Sequence, residues 1–161
     1  MAPRRRIARK MMKRRTAVTK ASGRTAHVVK ALTVRQPFAA LLVCGLKTIE
    51  ARSWPTRHRG PLLIHAGQGR LTLVPEFLPL LEQVPEELRE AKGALLGVVD
   101  IVECRPARRA DRRAMCIAEA PDPAIFAWVV TQPRPLLAPL PCAGKLSLWP
   151  VPDPLCRRLR Y

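Results

Sequence analysis

The chain has 161 residues, 48% of them hydrophobic, with a formal net charge of +17. That length suits one domain around a single core, and that composition excludes a wholly unfolded chain. No apolar run reaches the about 18 residues of a membrane-crossing helix, the start lacks the apolar stretch of a secretory signal, and the five cysteines are scattered without C-x-x-C spacing, which speaks against a zinc ribbon or a disulfide framework. A cytoplasmic protein is expected, with no membrane partner, no metal and no cofactor.

The charge is uneven. Residues 1–30 hold eleven Lys or Arg and no acid, whereas residues 31–161 hold 18 basic and 12 acidic residues. Residues 1–27 therefore read as a disordered basic arm and residues 28–161 as a mildly basic folded domain. Such an arm attracts phosphate backbones without reading sequence. The same Arg-rich, acid-free composition also suits an organelle transit peptide.

Order begins at "HVVKALTVRQP", where Val28, Val29, Leu32 and Val34 predict a strand stopped by Pro37. "PFAALLVCGLK" predicts a short helix, with Pro37 in its first turn and Gly45 just past its end. "TIEARSW" predicts a strand and "PLLIHAG" a second, buried on both faces. "VPEFLPLLEQVPEELREAK" predicts helices broken by prolines, followed by a long strand, "GALLGVVDIVEC", and a solvated basic loop, "RPARRADRRA". "AIFAWVVTQPRPL" predicts a strand entering a proline-rich turn, and "KLSLWPV" a last strand. Many short strands with few helices imply an α+β fold built on a small, closed or half-closed sheet with peripheral helices.

The segment "GLKTIEARSWPTRHRG" places charges between two apolar runs. Strand alternation sends Ile49 and Ala51 to one face, and Glu50 and Arg52 to the other. Same-face neighbours stand roughly 6.5–7 Å apart, and Lys47 at the helix-to-strand corner can swing over them. A carboxylate between two cations is fixed in position, while a lone surface ion pair contributes only about 0–1 kcal/mol. Two arrangements fit: a solvated edge strand, or a polar cleft with Arg57 and Arg59 adding planar donors for phosphate.

Arg35 and Gln36 end the first strand, where Gln can read a base edge and Arg a phosphate; a structural contact at the helix start suits them equally. His65 is expected as a hydrogen-bonded core histidine, Trp54 as a core lid, and Trp128 and Trp149 as core. Lys145 borders the cleft if its loop reaches it, and Asp100 and Glu103 are acids of interest only if they point there. "GQGR" lacks the Lys-Ser/Thr of a phosphate-binding loop.

"GLKTIEARSW" matches the G-x-K-x-x-E-x-R pattern of the ASCH family, in the PUA-like superfamily. The wider stretch from "LTVRQPFAALLVCG" to "RGPLLIHAG", with "IFAWVVTQPRPL" and "AGKLSLWPV", also resembles that family, over about residues 30 to 152. The resemblance implies a small PUA-like β-barrel with peripheral helices and a cleft bearing Gly45, Lys47, Glu50 and Arg52. It implies RNA or other nucleic acid as partner, with Lys47, Glu50 and Arg52 at the motif positions; Arg57, Arg59, Arg35 and Gln36 join them as candidate contacts on the chemistry of their own side chains. Some members are amidohydrolases acting on acetylated cytidine nucleosides. Those carry a Thr where this chain has Glu50, so an enzyme here, whether an amidohydrolase on modified nucleosides or a ribonuclease, would use Lys47 and Glu50 as an acid/base pair. A protein-interaction module with a basic surface is a third reading.

Overall fold

The computed structural model describes residues 28–161. The basic arm expected over residues 1–27 lies outside the described residues. Six strands follow in chain order: β1 (Lys30–Gln36), β2 (Ile49–Arg52), β3 (Gly60–Arg70), β4 (Ala94–Pro106), β5 (Phe126–Pro141) and β6 (Leu148–Pro150). Five short helices accompany them: α1 (Phe38–Val43), α2 (Leu78–Leu81), α3 (Glu86–Glu90), α4 (Arg112–Met115) and α5 (Asp153–Cys156). The strands form one mixed sheet in the order β2-β5-β4-β3-β1-β6. Among the described residues, only β1 and β3 run parallel; the other pairings are antiparallel.

The fold is α+β as expected, but the sheet is not closed, which corrects the barrel. β2 has four residues and β6 three, and neither pairs with the other. A side chain instead bridges the gap between β2 and β1: Arg52 Nη2 donates to the Thr33 carbonyl at 2.8 Å. That seam is where the cleft opens.

The sequence pattern accounts for the elements. α1 is apolar all round and Ala39 to Val43 are all buried, as a helix without a polar face must be. It sits with Leu32, Leu62, Ile64, Leu96 and Trp128 in the main core. The opposite face of the sheet carries a second cluster around Ala31, Leu63, Leu95 and Trp149, so β3 is indeed apolar on both sides. Trp54 meets Trp128 edge-on, with ring centroids 4.5 Å apart, and its carbonyl accepts the Trp128 indole N–H; this is the lid expected of it.

Two expectations fail locally. β5 does not turn at its prolines but continues through Pro133, Pro135, Pro139 and Pro141. Its pairing with β4 shifts register three times, and Gln132 adopts φ 52, so bulges absorb the missing donors. The basic segment after β4 is not a plain solvated loop either. It forms a 3-10 turn and α4, because Asp111 receives a two-pronged bond from Arg105 at 2.6 and 2.8 Å and the Arg108 backbone N–H at 2.7 Å. α5 follows Pro152 at the end of the chain, where the sequence pattern predicts no helix.

Candidate functional site

The turn between α1 and β2 positions the charged residues. Gly45 has φ +74, and a Cβ there would stand 2.9 Å from Pro133 Cγ, so glycine alone fits without strain. The N–H groups of Leu46 and Lys47 both return to the Leu41 carbonyl, at 2.9 and 3.1 Å. Thr48 then ties the chain to α4 and β5, through Ala114 and Val130. The chain thus enters β2 in fixed register, with Ile49 packed against Met115 and Ala127 and Glu50 on the opposite face.

Lys47 and Glu50 are 1% and 7% exposed. Lys47 Nζ lies 3.1 Å from Glu50 Oε2 and donates to the Ile49 carbonyl. It also stands 5.3 Å from the centre of the Phe38 ring, within cation–π range. Arg52 Nε lies 3.2 Å from Glu50 Oε1, at ion-pair distance but off the hydrogen-bond direction. Glu50 therefore sits between two cations, and its oxygens carry no hydrogen bond of good geometry among the described residues.

These three residues line a cleft of about 730 Å³, within the size range of small-ligand sites. Arg35 and Thr33 line it from β1, His65 and Gly67 from β3, and Cys142 to Ser147 from the segment before β6. Its rim is cationic, with Arg35 and Lys145 exposed. Its lips are partly apolar, with Leu71 37% and Leu146 93% exposed.

The sequence candidates separate clearly. Lys47, Glu50, Arg52 and Arg35 meet in the cleft. Gln36 does not: it is fully buried, its amide donates to the Leu88 and Ala91 carbonyls, and its oxygen accepts the Ala40 N–H. Arg57 and Arg59 are exposed outside the cleft lining, and Arg59 donates to the carbonyls of Thr56 and His58. Asp100 and Glu103 are also elsewhere, paired with Arg134 and Arg105. Thr33 joins the site without having been a sequence candidate, although alternation along "ALTVRQ" puts it on the same face as Arg35.

His65 is 2% exposed and bonds to the Cys142 carbonyl at 3.0 Å. Burial pushes its pKa below the ordinary 6.5, against a weaker pull from that carbonyl. Cys116, 1% exposed in the main core, has its thiol pushed up by burial, with the Lys47 charge pulling the other way, which suits an apolar filler. Among the described residues, no group of three His, Cys, Asp or Glu side chains could hold a metal, and no helix is long and apolar enough to cross a membrane.

An open mixed sheet with short helices and a polar cleft at its seam defines a small α+β domain. The ASCH domain model matches residues 32–139, and the chain belongs to the ASCH family. Activating signal cointegrator 1 from Mus musculus and from Homo sapiens are each 31% identical to it over 127 residues, covering 73% of this chain. The chain spans only 21% of the length of those relatives. Among solved structures, the ASCH protein of Zymomonas mobilis superposes with a TM-score of 0.56 at 12% identity, covering 81% of this chain and 92% of that one. A point mutant of the same Zymomonas mobilis protein gives 0.53 at 12% identity, covering 81% and 95%. At that identity the likeness speaks for the fold.

Proposed function

We propose that the cleft binds a nucleotide of single-stranded RNA or other nucleic acid. One observation carries this reading. The described residues leave two buried side-chain polar atoms without a hydrogen-bond partner, Arg52 Nε and His65 Nδ1, and both residues line this one cleft. A buried polar group left unpaired costs about 1–3 kcal/mol, which applies in full to His65 Nδ1 and in part to Arg52 Nε, where the Glu50 carboxylate at 3.2 Å offsets some of it. A ligand with polar edges, seated between cationic rims, relieves that cost. Arg35 and Lys145 meet phosphate, Arg52 offers its spare donor, and Glu50 accepts from a base N–H. Phe38, Leu71 and Leu146 pack against the flat faces of bases.

The test compares the full chain with Lys47→Ala and Arg35→Ala, titrated with single-stranded RNA across a salt series. Residues 1–30 supply the same steep salt dependence to all three proteins. The cleft appears as the difference: about tenfold or more weaker binding for Lys47→Ala at salt high enough to screen the arm, and roughly threefold for Arg35→Ala. Equal binding by all three removes the cleft from the interface.

The 3.1 Å contact of Lys47 with Glu50 at the floor favours one other reading, an amidohydrolase acting on acetylated cytidine. Turnover abolished by either substitution supports that reading; its absence under saturating nucleoside rejects it. The name of the curated relatives, activating signal cointegrator 1, suggests a setting in the integration of an activating signal. Because the chain spans 21% of their length, only binding at this domain is carried over to it.

A further inference from the structure

We propose that His65, with Thr33 and Gly144, forms a donor-reading niche in the cleft wall, where His65 Nδ1 accepts a hydrogen bond from a neutral N–H or O–H group of the bound nucleotide. The inference rests on the nucleotide-binding reading and specifies what that cleft selects.

The tautomer follows from the partner. A carbonyl can only accept, so the ring nitrogen facing Cys142 O at 3.0 Å, Nε2, carries the hydrogen. In the neutral ring, Nδ1 is then a bare lone pair. It is buried and has no partner among the described residues. Burial also lowers the pKa of this group, which keeps the ring neutral near pH 7. A phosphate, which offers no proton there, gains nothing from such an atom; an amine or a hydroxyl does.

The surroundings are built around that atom. Thr33 and His65 are register partners across the parallel β1–β3 pair, so they stand side by side. Thr33 Oγ1 donates to the Lys145 carbonyl at 3.0 Å and accepts from Trp149 Nε1 at 3.3 Å, which leaves one lone pair. The Trp149 ring holds the imidazole edge-on at 5.8 Å. A Cβ on Gly144 would stand 2.6 Å from Nδ1 and 2.8 Å from Thr33 Oγ1, so the bare Gly144 backbone lies over both acceptors, and a ligand donor reaches Nδ1 by displacing this exposed segment. Thr33 also links the niche to the charged floor, because its carbonyl accepts from Arg52. The cleft thus presents cations on one side of Thr33 and acceptors on the other. That suits a ligand with an anionic end and a neutral donor end.

Two sources can supply the donor, and the experiment separates them. The full chain is titrated, at salt that screens residues 1–30, with single-stranded RNA, with DNA of the same sequence, and with RNA carrying purine in place of adenine or pyrimidin-2-one in place of cytosine. The wild type is expected to favour the donor-bearing ligand by about three- to tenfold in one arm. A preference over DNA identifies the ribose hydroxyl, and a preference over the bases that lack the amine identifies the amine. His65→Gln, which keeps a donor for the Cys142 carbonyl, abolishes that preference, and His65→Asn, which keeps an acceptor near Nδ1, restores part of it. In the wild type, the 15N resonance of His65 Nδ1 moves on adding the preferred ligand, a readout independent of whether the variants fold. Binding that depends on Lys47 but shows no donor preference and leaves that resonance in place overturns the niche while the cleft reading stands. The absence of any Lys47-dependent binding overturns both.

Discussion

Two buried carboxylates of this domain are each held by arginine, and they differ in what is left over. Asp111 uses both oxygens: Arg105 grips it with two prongs at 2.6 and 2.8 Å, and the Arg108 N–H adds a third bond at 2.7 Å. Glu50 has two cations at 3.1 and 3.2 Å, no hydrogen bond of good geometry among the described residues, and an open cleft in front of it. Asp111 is saturated and holds a turn together. Glu50 and its partners keep unspent bonding capacity, which suits a ligand. An ion pair in a fold is therefore better judged by the bonds it leaves unmade than by its separation.

Substitutions sharpen this contrast. The largest effect is expected from Glu50→Ala, which leaves Lys47, 1% exposed, without a carboxylate. Breaking a buried pair on one side costs roughly 3–5 kcal/mol, to be read from urea unfolding, and it should also remove ligand binding. Asp111→Ala should cost less, about 1.5–3 kcal/mol for lost charge-assisted bonds, with binding of RNA by the cleft intact. If Asp111→Ala weakens binding as much as Lys47→Ala does, the two clusters are not functionally distinct.

The pH dependence separates two buried groups in the same way. Arg105 above all, with the Arg108 N–H, holds the Asp111 carboxyl below its ordinary 3.8. Its contribution is complete above that value and is lost as pH falls below it toward the folded-state pKa. Asp111→Asn should flatten acid unfolding in that window. His65 behaves alike at higher pH. Its folded pKa lies below 6.5, so the unfolded chain takes up the proton first and stability declines as pH falls below about 6.5. His65→Gln should remove that slope, and a melting series from about pH 7.5 to 5 checks it.

Gly45→Ala comes next, at about 1–2 kcal/mol, because φ +74 is unfavourable for a side chain and the new Cβ meets Pro133. The smallest effect is expected for the double change Arg57→Ala, Arg59→Ala. Both residues are exposed, so stability should move by under about 0.5 kcal/mol and RNA affinity by less than roughly threefold, with a slightly shallower salt slope. A tenfold loss would extend the interface beyond the cleft.

Much of this domain is legible in its sequence. Pro37, the apolar run to Val43 and Gly45 set a helix and its end, and alternation from Ile49 to Arg52 sets which side chains share a face. Lys47, Glu50 and Arg52 therefore come together through backbone periodicity within one short segment. The separation of Arg35 from Gln36 also follows from alternation, since adjacent residues of a strand face opposite ways; which of the two faces the cleft does not.

That choice belongs to tertiary structure. It depends on β1 lying between β3 and β6, an order that local propensity does not encode. The same order puts Thr33 beside His65, far along the chain, and brings Gly144 and Lys145 over both. It also leaves the sheet open at the seam between β1 and β2, where the family resemblance implied a barrel. Local spacing fixes what neighbours within a helix turn or a strand can do, because the backbone repeat is short and stiff. Groups joined across the sheet are fixed by register and strand order, which the burial of the whole core decides. The charged floor was thus set by the sequence itself, and the wall that completes the cleft by the fold.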